Sequence, residues 1–242
     1  MAANTTHIGQ VDEGNIRLLL ALAECMKTPL LKASRTAELA RMTKDFTKIE
    51  DIEFVSDMGI DLIESYILSL KMQLAGDAMP LESVSLSATL HDVAHTLQKM
   101  DTSTSFDIEL HIAGKYGPIM AHPKGLQTAL LNIGKVLMNT HSEREGKERA
   151  ILTLAARRTQ RGIAAGIFTN IDGLDAKTFA RARKLYGSAA QPLPQLTFES
   201  GAGIFIADSL LQSMESHLRV SHYKKLTGLA ATFLPSQQLS LV

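Results

Sequence analysis

Between Ile16 and Ala40 the apolar or small residues Ile16, Leu19, Ala23, Met26, Leu30, Ala33, Ala37 and Ala40 follow one another at steps alternating between three and four. That spacing is a heptad seam along a long helix. Ile60, Ile63, Ile67, Leu70 and Leu74 repeat it, after a less regular lead-in through Phe46, Ile49 and Ile52. Two such helices joined by a turn cannot hide both stripes by themselves. Pairing two copies of the hairpin into a four-helix bundle hides all of them, so the pattern predicts a homodimer. Pro29 lies inside the first seam, where it removes a backbone hydrogen bond and crowds the preceding turn. Because the heptad continues in phase beyond it, a bend within one helix is expected rather than a helix end.

The helical period breaks at Gly76-Asp77-Ala78-Met79-Pro80, the best candidate for a domain boundary. The expected division is a tail over 1–14, a dimerisation hairpin over 15–76, an α/β domain over 80–236 and a tail over 237–242. In the second domain, helical spacing covers Leu86 to Met100, Lys124 to Asn139, Ala176 to Leu185 and Ile204 to Met214. Alternating or β-rich stretches occupy Phe106 to Ile112, Ile151 to Ala155, Ile163 to Thr169, Leu218 to Ser221 and Leu229 to Leu234. The fold class is therefore α+β: an antiparallel helical hairpin, followed by a sandwich of helices on a sheet.

Charge narrows the function. Lys plus Arg and Asp plus Glu number 25 each among 242 residues, so no long-range field favours nucleic acid or anionic lipid. The single cysteine, Cys25, excludes an intrachain disulfide and a zinc cluster built on thiolates. The opening residues carry Asp12 and Glu13 and no basic cluster before an apolar run. The stretch from Ile16 to Met26 is interrupted by Arg17 and Glu24. Neither a secretory signal nor a membrane span is expected, and the cytoplasm is the expected location.

Several motifs resemble the transmitter region of sensor histidine kinases, over about 220 residues. Gly201-Ala202-Gly203-Ile204-Phe205-Ile206-Ala207 matches that family's second glycine box, Gly-x-Gly-Leu-x-Leu-Ala. Leu218-Arg219-Val220-Ser221 and Leu229 to Pro235 match its closing strands. His122-Pro123-Lys124-Gly125-Leu126 through Asn132-Ile133 resembles the opening of its asparagine box. In the hairpin, where the family has His-Glu-Leu-Arg-Thr-Pro-Leu, this chain has Glu24-Cys25-Met26-Lys27-Thr28-Pro29-Leu30. The resemblance implies a dimerising hairpin followed by an ATP-binding α/β sandwich.

It also implies that the chemistry has been lost. Phosphotransfer needs a neutral imidazole nitrogen to attack the γ-phosphate, often with an adjacent acid as base. Glu24 stands at the histidine position, its charge repelling a triphosphate, and Cys25 at the acidic one. The seam places Glu24 on the exposed rim of the bundle, with Cys25 near it. The family's second asparagine, which faces the nucleotide's magnesium ion, falls on Val136, and a hydrocarbon cannot ligate a hard cation. In the first glycine box, either Asn170 or Asp172 stands in for the adenine-binding aspartate, and only Gly173 of two glycines is matched. Near the end, one glycine of two survives as Gly228. The expected remnants of the nucleotide pocket are thus Asn132, Asp172, Gly173, Gly201, Gly203 and Gly228, with no catalytic residue, no metal ligand and no ATP or magnesium cofactor.

The expected function is that of a non-catalytic homologue, a dimeric signalling scaffold. It would bind a response-regulator receiver domain or another signalling kinase through the surface around Glu24, Lys27, Thr28 and Leu31. The alternatives are a divergent kinase or ATPase that binds nucleotide through a Gly201–Gly203 turn, or a response-regulator phosphatase using Thr28, whose acidic neighbour Cys25 removes. A sequestering regulator of the anti-sigma type shares the sandwich, but normally keeps working nucleotide boxes and has no long hairpin. His91 and His95, four apart, have a spacing that suits a metal, but no third ligand accompanies them, and they are taken as surface residues.

Overall fold

The computed structural model describes residues 13–45, 47–101, 106–114, 116–144, 149–171, 173–188, 192–193, 196 and 201–236. Two long helices come first: α1 (Glu13–Thr43), with Pro29 inside it, and α2 (Lys48–Ala75). The turn between them is tied by Asp45, whose Oδ1 accepts from the backbone N–H (3.1 Å) and the hydroxyl (2.6 Å) of Thr47. Those two bonds favour the ionised carboxylate and hold the Asp45 pKa below its ordinary value. Helix α2 stops at Gly76, where φ of +49° suits a residue without a side chain, and its N–H closes back on the carbonyls of Gln73 and Met72.

The rest is a two-layer sandwich. Its sheet has the order β2-β4-β5-β7-β6, from β2 (Phe106–Ala113), β4 (Ala150–Thr159), β5 (Gly162–Thr169), β6 (Arg219–Tyr223) and β7 (Leu226–Phe233). β2 and β4 run parallel and the other neighbours antiparallel. β1 (Glu82–Val84) and β3 (Ile119–Ala121) form a separate two-stranded ribbon. Its strands are only three residues each, too short to produce a recognisable alternation. Helices α3 (Leu86–Met100), α4 (Pro123–Arg144) and α6 (Gly201–Gln212) cover one face of the sheet, and α5 (Ala176–Leu185) packs near β6.

The central strands are buried on both faces, and the alternating direction of their side chains sends every second residue into the main core. Leu152, Leu154 and Ala156 of β4, Ile163, Ala165 and Ile167 of β5, and Leu229, Ala231 and Phe233 of β7 point toward the helices, where Leu90, Leu97, Leu126, Ile133 and Leu210 meet them. Caps fix the helix starts: Ser85 Oγ accepts from Ala88 N–H, and Asp175 Oδ1 from Thr178 N–H at 2.7 Å. The Asp175 bond to Thr178 also lowers that carboxyl's pKa. Buried Asp208 of α6 takes a two-pronged contact from Arg183 of α5 (2.6 and 2.7 Å) and accepts from the Leu218 backbone N–H, joining α5, α6 and the start of β6.

The hairpin is not an appendage. Leu18 and Leu22 of α1 and Tyr66 and Met72 of α2 are buried in the same continuous core as Leu90, Leu137 and Ile204. Burial pushes the Tyr66 hydroxyl pKa above its ordinary value. The heptad residues largely face the other way: Ile16, Leu19 and Leu30 on α1, and Ile60, Ile63, Ile67 and Leu74 on α2, are exposed in the single chain.

Candidate functional site

On α1, Glu24, Lys27, Thr28 and Leu31 lie at steps of three, one and three, which brings all four onto one helix face. Glu24, Lys27 and Leu31 are exposed and Thr28 is half-buried. Glu24 therefore sits on the solvent-facing rim, as the seam predicts. Its carboxylate is engaged: Lys27 Nζ donates to Oε1 at 2.6 Å. The patch therefore presents a local ion pair beside an apolar leucine, not an isolated negative charge, and a pair this exposed adds little to stability.

Cys25 requires a correction. Expected near the exposed rim, it is only 4% exposed. It follows Leu18 and Leu22 at steps of four and three on the inward stripe, whose two leucines are buried in the core shared with the sandwich. A heptad seam has flanks on both sides, and which flank is covered depends on what packs there.

Of the residues expected to line a nucleotide pocket, Asn132 and Gly203 lie where the hairpin meets the sandwich. Asn132 of α4 is 5% exposed, and its Oδ1 lies 3.5 Å from the Ser65 hydroxyl of α2. Asn132 Nδ2 has no hydrogen-bond partner among the described residues. Val136, one turn further along α4, is buried too. Gly201 and Gly203 do not form a turn: both lie in the first turn of helix α6. Gly201 borders open space, whereas a Cβ on Gly203 would fall 3.1 Å from Val136 Cγ2 and 3.7 Å from Leu62 Cδ1 of α2. A cavity of about 50 Å³ remains at this junction, lined by Met26, Pro29, Leu62, Asn132, Val136 and Gly203 among others.

The other two described glycines lie elsewhere. Gly173 has φ of +75°, a conformation that favours glycine, in the turn before α5. Asp172 lies outside the described residues. Gly228 is inside β7, paired with Phe168 on one side and Ser221 on the other, and a Cβ there would fall 2.0 Å from the Ile167 carbonyl oxygen. Close strand contact is enough to require a glycine at that position. His91 and His95 are exposed on α3, and no group of three metal-ligating side chains is found among the described residues. No helix among them is long and apolar enough to cross a membrane.

One feature of this junction is legible in the sequence only in hindsight. Asp61, Ser65, Ser69 and Gln73 recur every fourth residue along α2, and all four bond to the sandwich. Against the regular heptad of isoleucines, the polar stripe is a weak signal.

No protein-family model matches the sequence, and no curated protein matches it. Solved structures do. The Acinetobacter baumannii histidine kinase AdeS superposes with a TM-score of 0.59 at 9% identity, over 87% of this chain and 97% of that one. The fold is that of a histidine-kinase core. Histidine kinase ThkA, solved in complex with the response regulator TrrA, gives 0.54 at 9% identity over 87% of this chain and 59% of that one. Full-length ShkA, solved in complex with AMPPNP, gives 0.53 at 15% identity over 78% and 40%. At these identities the likeness extends to the fold alone. In histidine-kinase terms, α1 and α2 are the helical hairpin and the remaining elements the ATPase-type sandwich.

Proposed function

We propose that this chain is a non-catalytic histidine-kinase homologue, a dimeric scaffold that binds a response-regulator receiver domain through the α1 face of Glu24, Lys27, Thr28 and Leu31. The observation that carries the reading is the state of the two chemical positions. Glu24, in place of the phosphoacceptor, is held by Lys27, and Val136, in place of a magnesium ligand, is buried against Gly203. Neither a carboxylate engaged in an ion pair nor a buried valine does the work of an imidazole nucleophile or a metal-binding amide.

Dimerisation is supported by the exposed isoleucine and leucine stripe on α2, because a second hairpin offers the same stripe and can cover it. Receiver binding is supported by the ThkA structure, where a kinase of this fold is held by a response regulator, and by the exposed, mixed apolar and charged α1 face. The division into hairpin and sandwich near residues 76–80 belongs to the same reading.

Two measurements test it. Incubation of the purified chain with labelled ATP and magnesium is expected to leave no label on the protein; acid-labile label would make it a working kinase. Receiver domains encoded near the gene are expected to bind the wild-type chain, with at least a ~10-fold loss of affinity for Leu31→Asp, the change expected for a contact residue of about 1.4 kcal/mol. Accelerated dephosphorylation of a phosphorylated receiver would instead favour the phosphatase alternative.

A further inference from the structure

Helix α2 lies across the sandwich face that carries Asn132, Val136 and Gly203. Asp61 pairs with Lys135 of α4 at 2.6 Å, and Ser65 approaches Asn132. Ser69 Oγ is 2.6 Å from Ser209 Oγ of α6, and Gln73 Nε2 donates to the same oxygen at 2.5 Å. A repeat of four keeps this ladder on one side of the helix. The first helix joins in through its start: Arg17 Nη1 donates to the Lys184 carbonyl, and the Tyr186 hydroxyl reaches the Gly14 carbonyl.

Glycines in the sandwich make room for the hairpin at two places. A Cβ on Gly125 would fall 2.7 Å from Met72 Sδ, and one on Gly187 would fall 2.3 Å from the Arg17 carbonyl oxygen; one on Gly203 would meet Leu62 at ordinary contact distance, so that only a larger side chain there would press on α2. Around these points Leu18, Leu22, Tyr66 and Met72 complete the sandwich's own core. A joint that is at once apolar, hydrogen-bonded and close-fitting resists separation, because opening it exposes core surface and orphans polar groups together.

We propose that the face carrying Asn132 and Gly203 serves in this chain as an intramolecular joint. The sandwich is a fixed buttress for the hairpin, and α2 keeps that face closed to nucleotide. Asn132 and Gly203 are joint residues, whatever partner the α1 face takes. In a chain that moves its ATPase domain to reach a phosphoacceptor, such a joint would have to release; here it holds.

Three experiments on the full chain test this. Ser69→Cys with Ser209→Cys, in a Cys25→Ser background, is expected to oxidise to an intrachain disulfide without change in elution volume or circular dichroism, since the two hydroxyls already touch. A pair that stays reduced, or bridges only between chains, overturns the joint. Gly203→Leu is expected to raise hydrogen exchange along 61–73 and 132–139 by at least ~10-fold, as local opening exposes those helices. Unchanged exchange overturns it. Should that variant fail to fold, Asp61→Lys, which sets like charges against Lys135, is measured the same way with the same two outcomes. Titration of the crosslinked chain with ADP to millimolar concentration is expected to give no saturable binding. Saturable binding overturns the closure, while receiver binding by the α1 face is decided separately.

Discussion

The two sides of α2 are dressed in opposite ways. On one, Ile60, Ile63, Ile67 and Leu74 are exposed, Leu74 to 87%. On the other, Ser65 and Ser69 are 6% and 0% exposed, with Gln73 half-buried beside them and Asp61 at the edge. A helix on the surface of a monomer normally shows the reverse. The polar side is already accounted for by Lys135, Asn132 and Ser209. The apolar side has no cover among the described residues, and an apolar face of that extent is characteristic of an interface. The difference teaches that a residue's polarity here reports the kind of neighbour it meets, not its depth.

The strongest way to break this comparison is to make the apolar side polar. The wild type is expected to show the mass of two chains in light scattering. Ile63→Glu with Ile67→Glu is expected to show one, with dissociation at least ~1000-fold easier, about 4 kcal/mol for two buried apolar side chains lost per protomer. A wild type that already runs as a single chain removes the dimer.

Next in size is the shared core behind the ladder. Leu22→Ala, on the inward stripe of α1, is expected to cost about 3 kcal/mol in urea unfolding, the usual range for a leucine cavity. A cost near zero would mean that the hairpin contributes no core. Within the ladder, Ser69→Ala is expected to cost about 1 kcal/mol, since Ser209 keeps its bond from Gln73 while one buried hydrogen bond is lost.

Tyr66 supplies a pH signature. Its folded-state pKa is raised, so the stability it contributes is complete below the unfolded value of about 10 and is lost as pH rises above it. Tyr66→Phe is expected to flatten unfolding stability between pH 10 and higher values, and an unaltered pH profile would contradict its burial. The smallest effect is expected for Lys135→Ala, whose partner Asp61 is half-exposed: below about 1 kcal/mol by the same urea titration. A much larger loss would show that the ion pair, and not the serines, holds the joint.

Much of the fold was legible. The predicted helix 86–100 and the helix 176–185 match α3 and α5 in both limits, because strong amphipathic periods and the polar residues before them mark where a helix starts and stops. Pro29 bends no boundary into existence: α1 runs through it, as the unbroken heptad implied. The ribbon of β1 and β3 was not legible, since three residues carry no period. Helix α6 begins at Gly201, so the Gly201–Gly203 turn is a stretch of helix. Glycine's low helix propensity points to a turn, and packing against α4 and α2 overrides it.

By itself the sequence determined the order of elements, apart from the ribbon of β1 and β3, and the hairpin's apolar stripe. It determined these because period and residue type are local properties of the chain. Tertiary structure alone decided that Cys25 faces inward, that Lys27 closes on Glu24, and that α2 covers Asn132, Val136 and Gly203. The reason is physical: a helical period says which residues share a face, but only packing says what that face meets.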